Sequence, residues 1–295
     1  MKKQGCDDSV DTVGVRHAQQ DKLVRIVYGR WYSPPLHYLL TNNKWCSVLF
    51  GMMANSRLSA RYIPRFVKKY SIDLSEIEGS IPDFKTFNEF FVRMLKTGAR
   101  PLPPLPNAVA SPADGTVMVM QTIGAHTQFP IKGVTLSVET LLQNRGLAQQ
   151  FEGGTAFVVR LAPWDYHRFH FSVTGIPGPH HVIHGRYESV HPLVYRCGIQ
   201  PLEVNERRLI LHTTEHGSEM AIIPVGALFV GSITQTYTPH ATCMRGDEMG
   251  YFSCGGSTIV LLFQANKVTA AEEIIVNSIA GKETPIKMGQ SIGYM

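Results

Sequence analysis

The chain has 295 residues, of which 44% are hydrophobic and 17% are charged, a balance that excludes a disordered chain and predicts a sizeable folded core. The formal charge of +5 is uneven, because residues 1–70 hold twelve Lys or Arg against four Asp, an excess of +8. A basic N-terminal segment of this kind predicts contact with either a nucleic acid or an anionic membrane.

The cysteines and the first residues suggest where the protein works. The five cysteines form no CxxC pair, which favours a reducing compartment and predicts neither a disulfide framework nor a structural zinc. Lys2 and Lys3 are followed by Asp7, Asp8 and Asp11, where a secretory signal needs an apolar stretch. We therefore expect no secretory signal.

Two segments of the basic region have apolar residues at helical spacing, residues 21–32 and residues 36–53. The second is interrupted by the polar residues 41–44 and falls short of the roughly 20 apolar residues that a spanning helix needs. Helices that lie in a membrane interface and helices that pack on a protein core both fit this pattern, and the sequence leaves both open. Further on, in SRLSARYIPRFVKKY at residues 56–70, Pro64 disfavours one continuous helix and predicts the first turn of a second short helix.

A helical N-terminal region and a β-rich remainder are predicted, with a boundary between them. Phenylalanines at spacings of three and four predict a helix over residues 84–96. The proline-rich residues 101–106 then predict a stiff connector, so we divide the chain into a helical, basic, membrane-associating region, residues 1–100, and a β-rich domain, residues 101–295.

Short apolar runs separated by Gly, Pro, Asn and His predict the strands of the second region. These runs are residues 116–120, 156–161, 167–173, 208–212, 220–224, 227–233 and 258–263. Residues 138–144 and 270–278 are expected to be helical. The predicted fold class is α+β, with a helical N-terminal segment followed by a barrel-like or sandwich-like β-rich domain.

Ser257 occupies an unusual position, between the Gly255-Gly256 pair and the apolar run 258–263. Glycine permits a twisted backbone and a close approach to its carbonyl group. This arrangement suits a serine that attacks its own preceding carbonyl, the Gly256 carbonyl. A simple Gly-Gly bend that opens a core strand is the alternative interpretation.

Two further stretches offer groups for chemistry, SPADG at residues 111–115 with Asp114, and LAPWDYHRFHF at residues 161–171 with His167 and His170. In a regular strand an odd separation points side chains to opposite faces, so either one histidine faces away or His167 belongs to an irregular entry to the strand. Six histidines between residues 167 and 191 also allow a metal site, but they lack cysteine partners and a zinc spacing, and we expect no metal. A hydrolase is disfavoured because Ser257 lacks the Gly-x-Ser-x-Gly elbow.

From about Arg57 to its C-terminus the chain resembles the phosphatidylserine decarboxylases, a family of pyruvoyl enzymes. The GGST form at residues 255–258 is similar to the bacterial branch called type II, whereas SVHP at residues 189–192 has His where the family usually has Asn. The motifs that carry the resemblance are TFNEFF (86–91), KTGARP (96–101), SPADG (111–115), LAPxDYHRxH (161–170), NER (205–207), VGALFVGSI (225–233), GDEMGYF (246–252), GGST (255–258) and MGQSIG (288–293).

The resemblance implies that Asp114, His170 and Ser257 form a self-processing triad, in which Asp114 orients His170 and His170 takes the proton of Ser257. Cleavage between Gly256 and Ser257 would give a β chain of residues 1–256 and an α chain of residues 257–295. Ser257 would become a covalent pyruvoyl group, which serves as the cofactor and forms a Schiff base with the substrate. His167 is implied to assist decarboxylation as a proton donor.

The resemblance also implies the partners. The expected substrate is phosphatidylserine, at an anionic membrane surface rather than on a nucleic acid, with peripheral attachment to the cytoplasmic side of a bacterial inner membrane. The α and β chains are expected to stay together as a heterodimer, with further oligomerisation left open. A pyruvoyl decarboxylase for a soluble amino acid and a lipid-binding module with an inert Gly-Gly-Ser bend are the alternatives.

Overall fold

The computed structural model of the chain describes Tyr28, His37, Thr41 and residues 44–124, 127–128, 135–228, 232–255 and 257–295. The prediction of a helix over residues 21–32 therefore lies outside the described residues, apart from Tyr28. The helices before the first strand are α1 (Lys44–Ala54), a 3-10 helix (Arg57–Tyr62), α2 (Ile63–Tyr70), a 3-10 helix (Ile81–Asp83) and α3 (Phe87–Phe91).

Local sequence signals set the bounds of these helices. Pro64 lies in the first turn of α2, which confirms the predicted second helix. The Thr86 hydroxyl accepts a hydrogen bond from the Glu89 amide at 3.1 Å and so begins α3. The predicted helix over residues 84–96 is wrong in its extent, because α3 ends at Phe91 and Leu95 instead forms a β-bridge with Ile77.

The β-rich part contains sixteen strands and five helices among the described residues. The strands are β1 (Ala108–Ala110), β2 (Gly115–Gln121), β3 (Thr127–Gln128), β4 (Thr135–Leu136), β5 (Thr155–Leu161), β6 (Arg168–His170), β7 (Gly175–Pro177), β8 (His181–Ile183), β9 (Arg207–Thr214), β10 (Glu219–Val225), β11 (Ser232–Gln235), β12 (Glu248–Ser253), β13 (Ser257–Phe263), β14 (Thr269–Ala270), β15 (Thr284–Ile286) and β16 (Ser291–Tyr294). The helices are α4 (Val138–Leu142), α5 (Arg145–Gln150), α6 (Pro192–Arg196), α7 (Pro201–Val204) and α8 (Glu272–Ile279).

An eight-stranded sheet forms the centre of the domain, in the order β15-β2-β5-β13-β10-β9-β7, with β8 also paired to β9. Two three-stranded sheets, β1-β16-β14 and β11-β12-β6, contribute Val109, Phe169 and Phe252 to the core on one face of it. Short helices, α4 among them, cover the other face. The predicted α+β class is confirmed; within the described residues the sheets do not close into a barrel and form a sandwich-like arrangement.

Strand β13 runs through the middle of this sheet and is buried along its whole length. It pairs with β10 on one side and with β5 on the other. Because side chains alternate along a strand, Ser257 shares a face with Ile259 and Leu261, whose side chains belong to the core beneath the three-stranded sheets. The first residue of β13 therefore faces the sheet that carries β6 and His170.

The helical region packs directly against the segment that precedes β13. Phe91 and Ala54 form a small apolar cluster with Cys254, and the Cys254 thiol lies 3.2 Å from the Asn88 side-chain oxygen. Tyr70 of α2 stacks on Trp164 with ring centroids 4.9 Å apart. These contacts hold α1, α2 and α3 beside the residues that the sequence singles out for chemistry.

The three described residues before α1 also contact the β-rich domain. The Tyr28 hydroxyl donates a hydrogen bond to the Glu188 carboxylate at 2.8 Å, and the His37 ring lies 3.0 Å from the same oxygen. The Thr41 carbonyl accepts a hydrogen bond from the Tyr187 amide at 2.8 Å. At these positions the N-terminal region packs on the domain. No helix within the described part of the chain is both long enough and apolar enough to cross a bilayer.

Candidate active site

Ser257 begins β13 with its side chain fully buried, and its hydroxyl oxygen has no hydrogen-bond partner. A buried hydroxyl without a partner costs about 1–3 kcal/mol, so such groups are rare unless they serve a purpose. Gly255 has a φ of +134°, a value that favours glycine and turns the chain sharply before the strand. Gly256 lies outside the described residues, so the predicted cleavage site is described from Cys254, Gly255 and Ser257.

His167 lies just before β6, which settles the sequence ambiguity in favour of an irregular entry to the strand. Its ring is fully buried against Phe91, with centroids 4.0 Å apart, and Nδ1 lies 2.9 Å from the Asp165 carbonyl oxygen. Burial lowers the pKa of His167 to about 3, although the carbonyl groups of Asp165 and Gly255 oppose the effect. The ring is therefore neutral, with the proton on Nδ1, and Nε2 has no hydrogen bond of good geometry.

His170 ends β6 in a different environment. Its amide donates to the Pro112 carbonyl at 2.8 Å, and its ring stacks on Tyr166 with centroids 5.8 Å apart. Burial lowers the pKa of His170 to about 4, and the negative charges of Glu248 and Asp114 offset this only in part. Nδ1 of the ring is buried and has no hydrogen-bond partner.

Asp114 lies in the bend between β1 and β2. Pro112, whose carbonyl accepts the hydrogen bond from the His170 amide, lies in the same bend. Gly115 follows Asp114 with a φ of +148°, and a side chain at that position would collide with the Arg160 carbonyl of β5. The Asp114 carboxylate accepts hydrogen bonds from Arg100 and, at 2.8 Å, from the Met288 amide. The charge of Asp114 thus acts on His170 while its oxygen atoms are bound elsewhere.

The predicted residues therefore lie in two groups. The Gly255 carbonyl, two residues before Ser257, lies close enough to His167 to influence its pKa, and the bend that holds Asp114 is joined to His170 through the Pro112 carbonyl. None of the described hydrogen bonds joins Asp114 to the His170 ring, or either histidine to Ser257.

Sequence reasoning missed three charged residues at this site. Arg93, which follows α3, is buried and donates hydrogen bonds to the carbonyls of Trp164 and Asp165 at 3.1 and 3.2 Å. The Asp165 carboxylate accepts a hydrogen bond from the Ala162 amide at 2.7 Å, and burial raises its pKa to about 6. Arg100 binds Asp114. Arg100 and Asp165 lie inside the KTGARP and LAPxDYHRxH motifs. Membership of these motifs was the sequence signal that could have identified both residues.

The remaining histidines are dispersed. His181 lies on the edge strand β8, and Nδ1 of His191 accepts a hydrogen bond from the Leu193 amide at 3.3 Å, so it caps α6 as an Asn at that position would do. Among the described residues, no three His, Cys, Asp or Glu side chains are arranged to hold a metal ion.

Comparison with known proteins identifies the family. A family model described as phosphatidylserine decarboxylase matches residues 87–294, which is well over half of the chain. The chain belongs to the phosphatidylserine decarboxylase family. This confirms the resemblance, since every quoted motif from SPADG to MGQSIG lies within the matched residues.

Curated relatives in this family match nearly the whole chain. A phosphatidylserine decarboxylase proenzyme from Desulfitobacterium hafniense is 36% identical over 287 residues, which cover 97% of this chain and 96% of the relative. Proteins with the same name from Clostridium novyi and Chlamydia trachomatis serovar L2 are each 38% identical, over 271 and 258 residues. The matches cover 90% and 88% of this chain and 92% and 86% of those relatives.

In this member of the phosphatidylserine decarboxylase family, three of the predicted site residues each have a buried polar atom without a partner: Ser257 Oγ, His167 Nε2 and His170 Nδ1. A hydroxyl and two neutral imidazole rings, shielded from water, provide a nucleophile and two groups that can accept protons. The arrangement is suited to acyl transfer at a backbone carbonyl and to proton transfer, in a site from which bulk water is excluded.

Proposed function

We propose that the chain is the proenzyme of a phosphatidylserine decarboxylase, which converts phosphatidylserine into phosphatidylethanolamine and CO2 after it cleaves itself between Gly256 and Ser257. Membership of the family supports the reaction. The observation that carries the assignment to these residues is the buried, unpartnered hydroxyl of Ser257 behind a glycine turn. We divide the chain into a helical region, residues 1–100, and a catalytic domain, residues 101–295. In this division, that turn lies where the two regions pack against each other.

In the proposed self-cleavage, Ser257 Oγ attacks the Gly256 carbonyl carbon and His170 takes the hydroxyl proton, with Asp114 favouring the imidazolium that forms. The peptide C–N bond breaks, the Ser257 nitrogen takes up a proton, and an ester links Gly256 to the serine side chain. Loss of the Ser257 α-proton then expels the Gly256 carboxylate and leaves dehydroalanine. Water converts this residue into a pyruvoyl group and ammonia.

The residues present fit a pyruvoyl group at position 257, because the side chain there is small, buried and free of hydrogen bonds. Such a group supplies a ketone that takes up the substrate amine and accepts the electrons released when CO2 leaves. His167 is the proposed proton carrier. With Nδ1 held by the Asp165 carbonyl, Nε2 can take the proton that the substrate ammonium must lose, and return it to the carbon that lost CO2.

The α chain of residues 257–295 is proposed to remain bound to the β chain of residues 1–256 as a heterodimer. Its first strand, β13, lies between β10 and β5 and is buried throughout. Its last strand, β16, pairs with β1. Cleavage at the start of β13 removes none of these contacts.

Phosphatidylserine is anionic and anchored by its acyl chains, so the enzyme must work at a membrane surface. The exposed side of α1 carries Trp45, Leu49 and Met52, which are 79%, 60% and 67% exposed, and Arg57 and Arg61 follow on exposed positions. Apolar side chains beside cations are typical of a helix that lies in an anionic membrane interface. We place the protein peripherally on the cytoplasmic side of a bacterial inner membrane.

The test combines a denaturing gel and a mass measurement with an activity assay. Wild-type protein should yield a C-terminal fragment that begins with a pyruvoyl-blocked residue 257, and should release CO2 from phosphatidylserine vesicles but not from free serine. Ser257→Ala should abolish both steps, whereas Ser253→Ala, a matched change on β12, should leave both intact. An intact wild-type chain would favour an inert lipid-binding module, and turnover of free serine alone would favour a soluble amino-acid decarboxylase.

A further inference from the structure

Arg100 makes the most extensive side-chain contact with the proposed triad. Its Nε lies 2.9 Å from Asp114 Oδ1 and its Nη2 lies 2.6 Å from Oδ2, a two-point contact between planar groups. The two side chains are only 8% and 12% exposed. Paired hydrogen bonds of this kind fix orientation as well as distance, and they are stronger when shielded from water.

The third nitrogen of Arg100 is also bound. Nη1 lies 2.9 Å from Glu76 Oε2 and donates a hydrogen bond to the Ala99 carbonyl at 2.8 Å. Glu76 belongs to the helical region, and it also binds the ammonium group of Lys287, a residue of the β-rich domain, at 3.1 Å. The guanidinium group therefore joins the helical region to the bend that carries Asp114, and its own position is fixed from both sides.

As a result, the position of the Asp114 carboxylate is fixed by hydrogen bonds to both of its oxygen atoms. Both oxygen atoms are bound by Arg100, and Oδ1 also accepts a hydrogen bond from the Met288 amide at 2.8 Å. The bend that carries Asp114 is joined to His170 by the hydrogen bond from the His170 amide to the Pro112 carbonyl at 2.8 Å, and the buried Nδ1 of the His170 ring has no partner. The carboxylate is thus held at a set place beside the imidazole, where its charge favours the imidazolium without a hydrogen bond to the ring.

We propose that Arg100 is a positioning residue for self-cleavage, which acts through Asp114 and is itself oriented by Glu76. The inference rests on the proposed function, because it assumes that Asp114 and His170 act in the attack by Ser257. A carboxylate without these bonds could move away from the imidazole and favour the imidazolium less, and small misplacements of catalytic groups reduce rates severely. It also follows that the helical region contributes to processing through Glu76.

The first test compares cleavage rates of freshly made full-length precursor. Arg100→Gln should slow cleavage by roughly 10- to 100-fold. Arg100→Lys, which keeps the charge but offers no planar fork, should fall between Arg100→Gln and wild type. Lys287→Gln is the matched control, because it removes the other cation from Glu76 without touching Asp114, and it should cut at the wild-type rate.

The second test separates positioning from folding. Guanidinium, at concentrations far below those that unfold the protein, should raise the cleavage rate of Arg100→Ala in a saturable way and should not rescue Asp114→Asn. The cut fraction of Arg100→Lys should release CO2 at the wild-type rate per cut chain, since Arg100 is assigned to processing alone.

The outcomes are distinguishable. Cleavage of Arg100→Gln at the wild-type rate would overturn the inference and leave the proposed function intact. A cleavage rate of Arg100→Ala that guanidinium does not raise would assign Arg100 a structural role and also overturn it. A wild-type chain that never cuts would instead contradict the proposed function itself.

Discussion

At the scale of single residues, His167 and His170 are close in sequence but differ in what fixes them. His167 is held through Nδ1 by the Asp165 carbonyl and lies close enough to the Gly255 carbonyl for that group to influence its pKa. His170 is stacked on Tyr166 and lies in the field of Asp114. Different surroundings for two otherwise identical rings allow different tasks, which is how enzymes divide acid and base roles between like residues.

We therefore expect His170→Ala and His167→Ala to fail differently. Loss of the base should slow self-cleavage by about 10² to 10⁴, so His170→Ala should remain an uncut precursor. His167→Ala should still cut but release little CO2. A gel for the 39-residue chain and CO2 release from labelled phosphatidylserine give the two readouts.

Asp114→Asn provides a further check on this assignment. It should resemble His170→Ala, because the amide cannot stabilise the imidazolium that forms during the attack. Normal cleavage in His170→Ala together with an uncut His167→Ala would show that the two histidines have the opposite roles. That result would fit the close approach of His167 to the Gly255 carbonyl.

His212 on β9 is a third buried histidine, outside the active site. Its side chain is fully buried and stacks on Phe171 with centroids 5.4 Å apart. Neither ring nitrogen has a hydrogen bond of good geometry, although the backbone carbonyls of Thr174 and Val173 lie close enough to oppose the effect of burial on its pKa. Gly175 leaves room for the ring, because a Cβ there would lie 2.6 Å from Nε2. Burial lowers the pKa of His212 to about 4. The folded state therefore keeps this ring neutral under conditions where the unfolded chain takes up a proton.

The stability of the protein should depend on pH through this residue. The folded pKa of about 4 lies below the ordinary histidine pKa of 6.5, so the unfolded state binds more protons in this range and stability falls as pH drops from about 6.5 towards 4. His212→Leu removes the titrating group. As pH drops, the free energy of unfolding of this variant should therefore fall less steeply than that of the wild type, with a difference in slope of up to about 1.4 kcal/mol per pH unit.

Urea unfolding at pH 7 and pH 5 measures this slope. His216→Leu, a change at a histidine with 56% of its side chain exposed, is the matched control and should keep the wild-type slope. An equal slope in His212→Leu and wild type would contradict the prediction.

At the scale of secondary-structure elements, short apolar runs predicted the strands well where tertiary contacts agreed with the local pattern. Residues 258–263 became β13 and residues 156–161 became β5, each one residue longer than predicted. Residues 167–173 gave only the short strand Arg168–His170, and Arg93 holds the turn before it through the Trp164 and Asp165 carbonyls. The hydrophobic periodicity of a segment carries no information about a contact with an arginine some 70 residues away in the sequence.

The candidate site shows the same limit. The position of Ser257 at the start of a strand and that of Asp114 in a bend follow from glycine and strand signals in the sequence. The ion pair between Arg100 and Asp114 does not, because it depends on how the connector after residue 100 passes the bend before β2. A motif can mark both residues without showing that they are partners.

The central position of β13 makes a testable prediction about stability. Leu261 is fully buried in the core between the large sheet and the smaller ones, so Leu261→Ala should lower the free energy of unfolding of the uncut precursor by about 2–5 kcal/mol. Ile279→Ala removes a comparable apolar side chain that is 74% exposed at the end of α8, and should have little effect. The comparison is best made in the Ser257→Ala background by urea unfolding, where every molecule is intact. Equal effects of the two changes would contradict the central placement of β13.

At the scale of the whole molecule, the helical region has two opposite sides. Ala54 and Phe91 pack towards Cys254, next to the Gly255 turn, whereas Leu49 and Met52 lie on the exposed side of the same helix α1. A surface that accepts lipid would therefore lie within one helix diameter, about 10 Å, of the segment that leads to Ser257. Under the proposed function, this arrangement would let the reacting group approach a headgroup while the acyl chains remain in the bilayer.

The double change Leu49→Glu with Met52→Glu should weaken binding to vesicles that contain phosphatidylserine. Each side chain can bury enough apolar area in the interface to contribute about 1.5–3 kcal/mol, so its loss should reduce binding by at least 10-fold.

Met244→Glu is the matched control, because Met244 is 59% exposed on the β-rich domain. Vesicle sedimentation measures binding, and CO2 release from detergent-dispersed phosphatidylserine shows whether the site itself remains intact. The double variant should keep that activity and lose activity on vesicles, since only delivery of the substrate is impaired. Unchanged sedimentation of the double variant would mean that the exposed side of α1 is not the surface that meets the membrane.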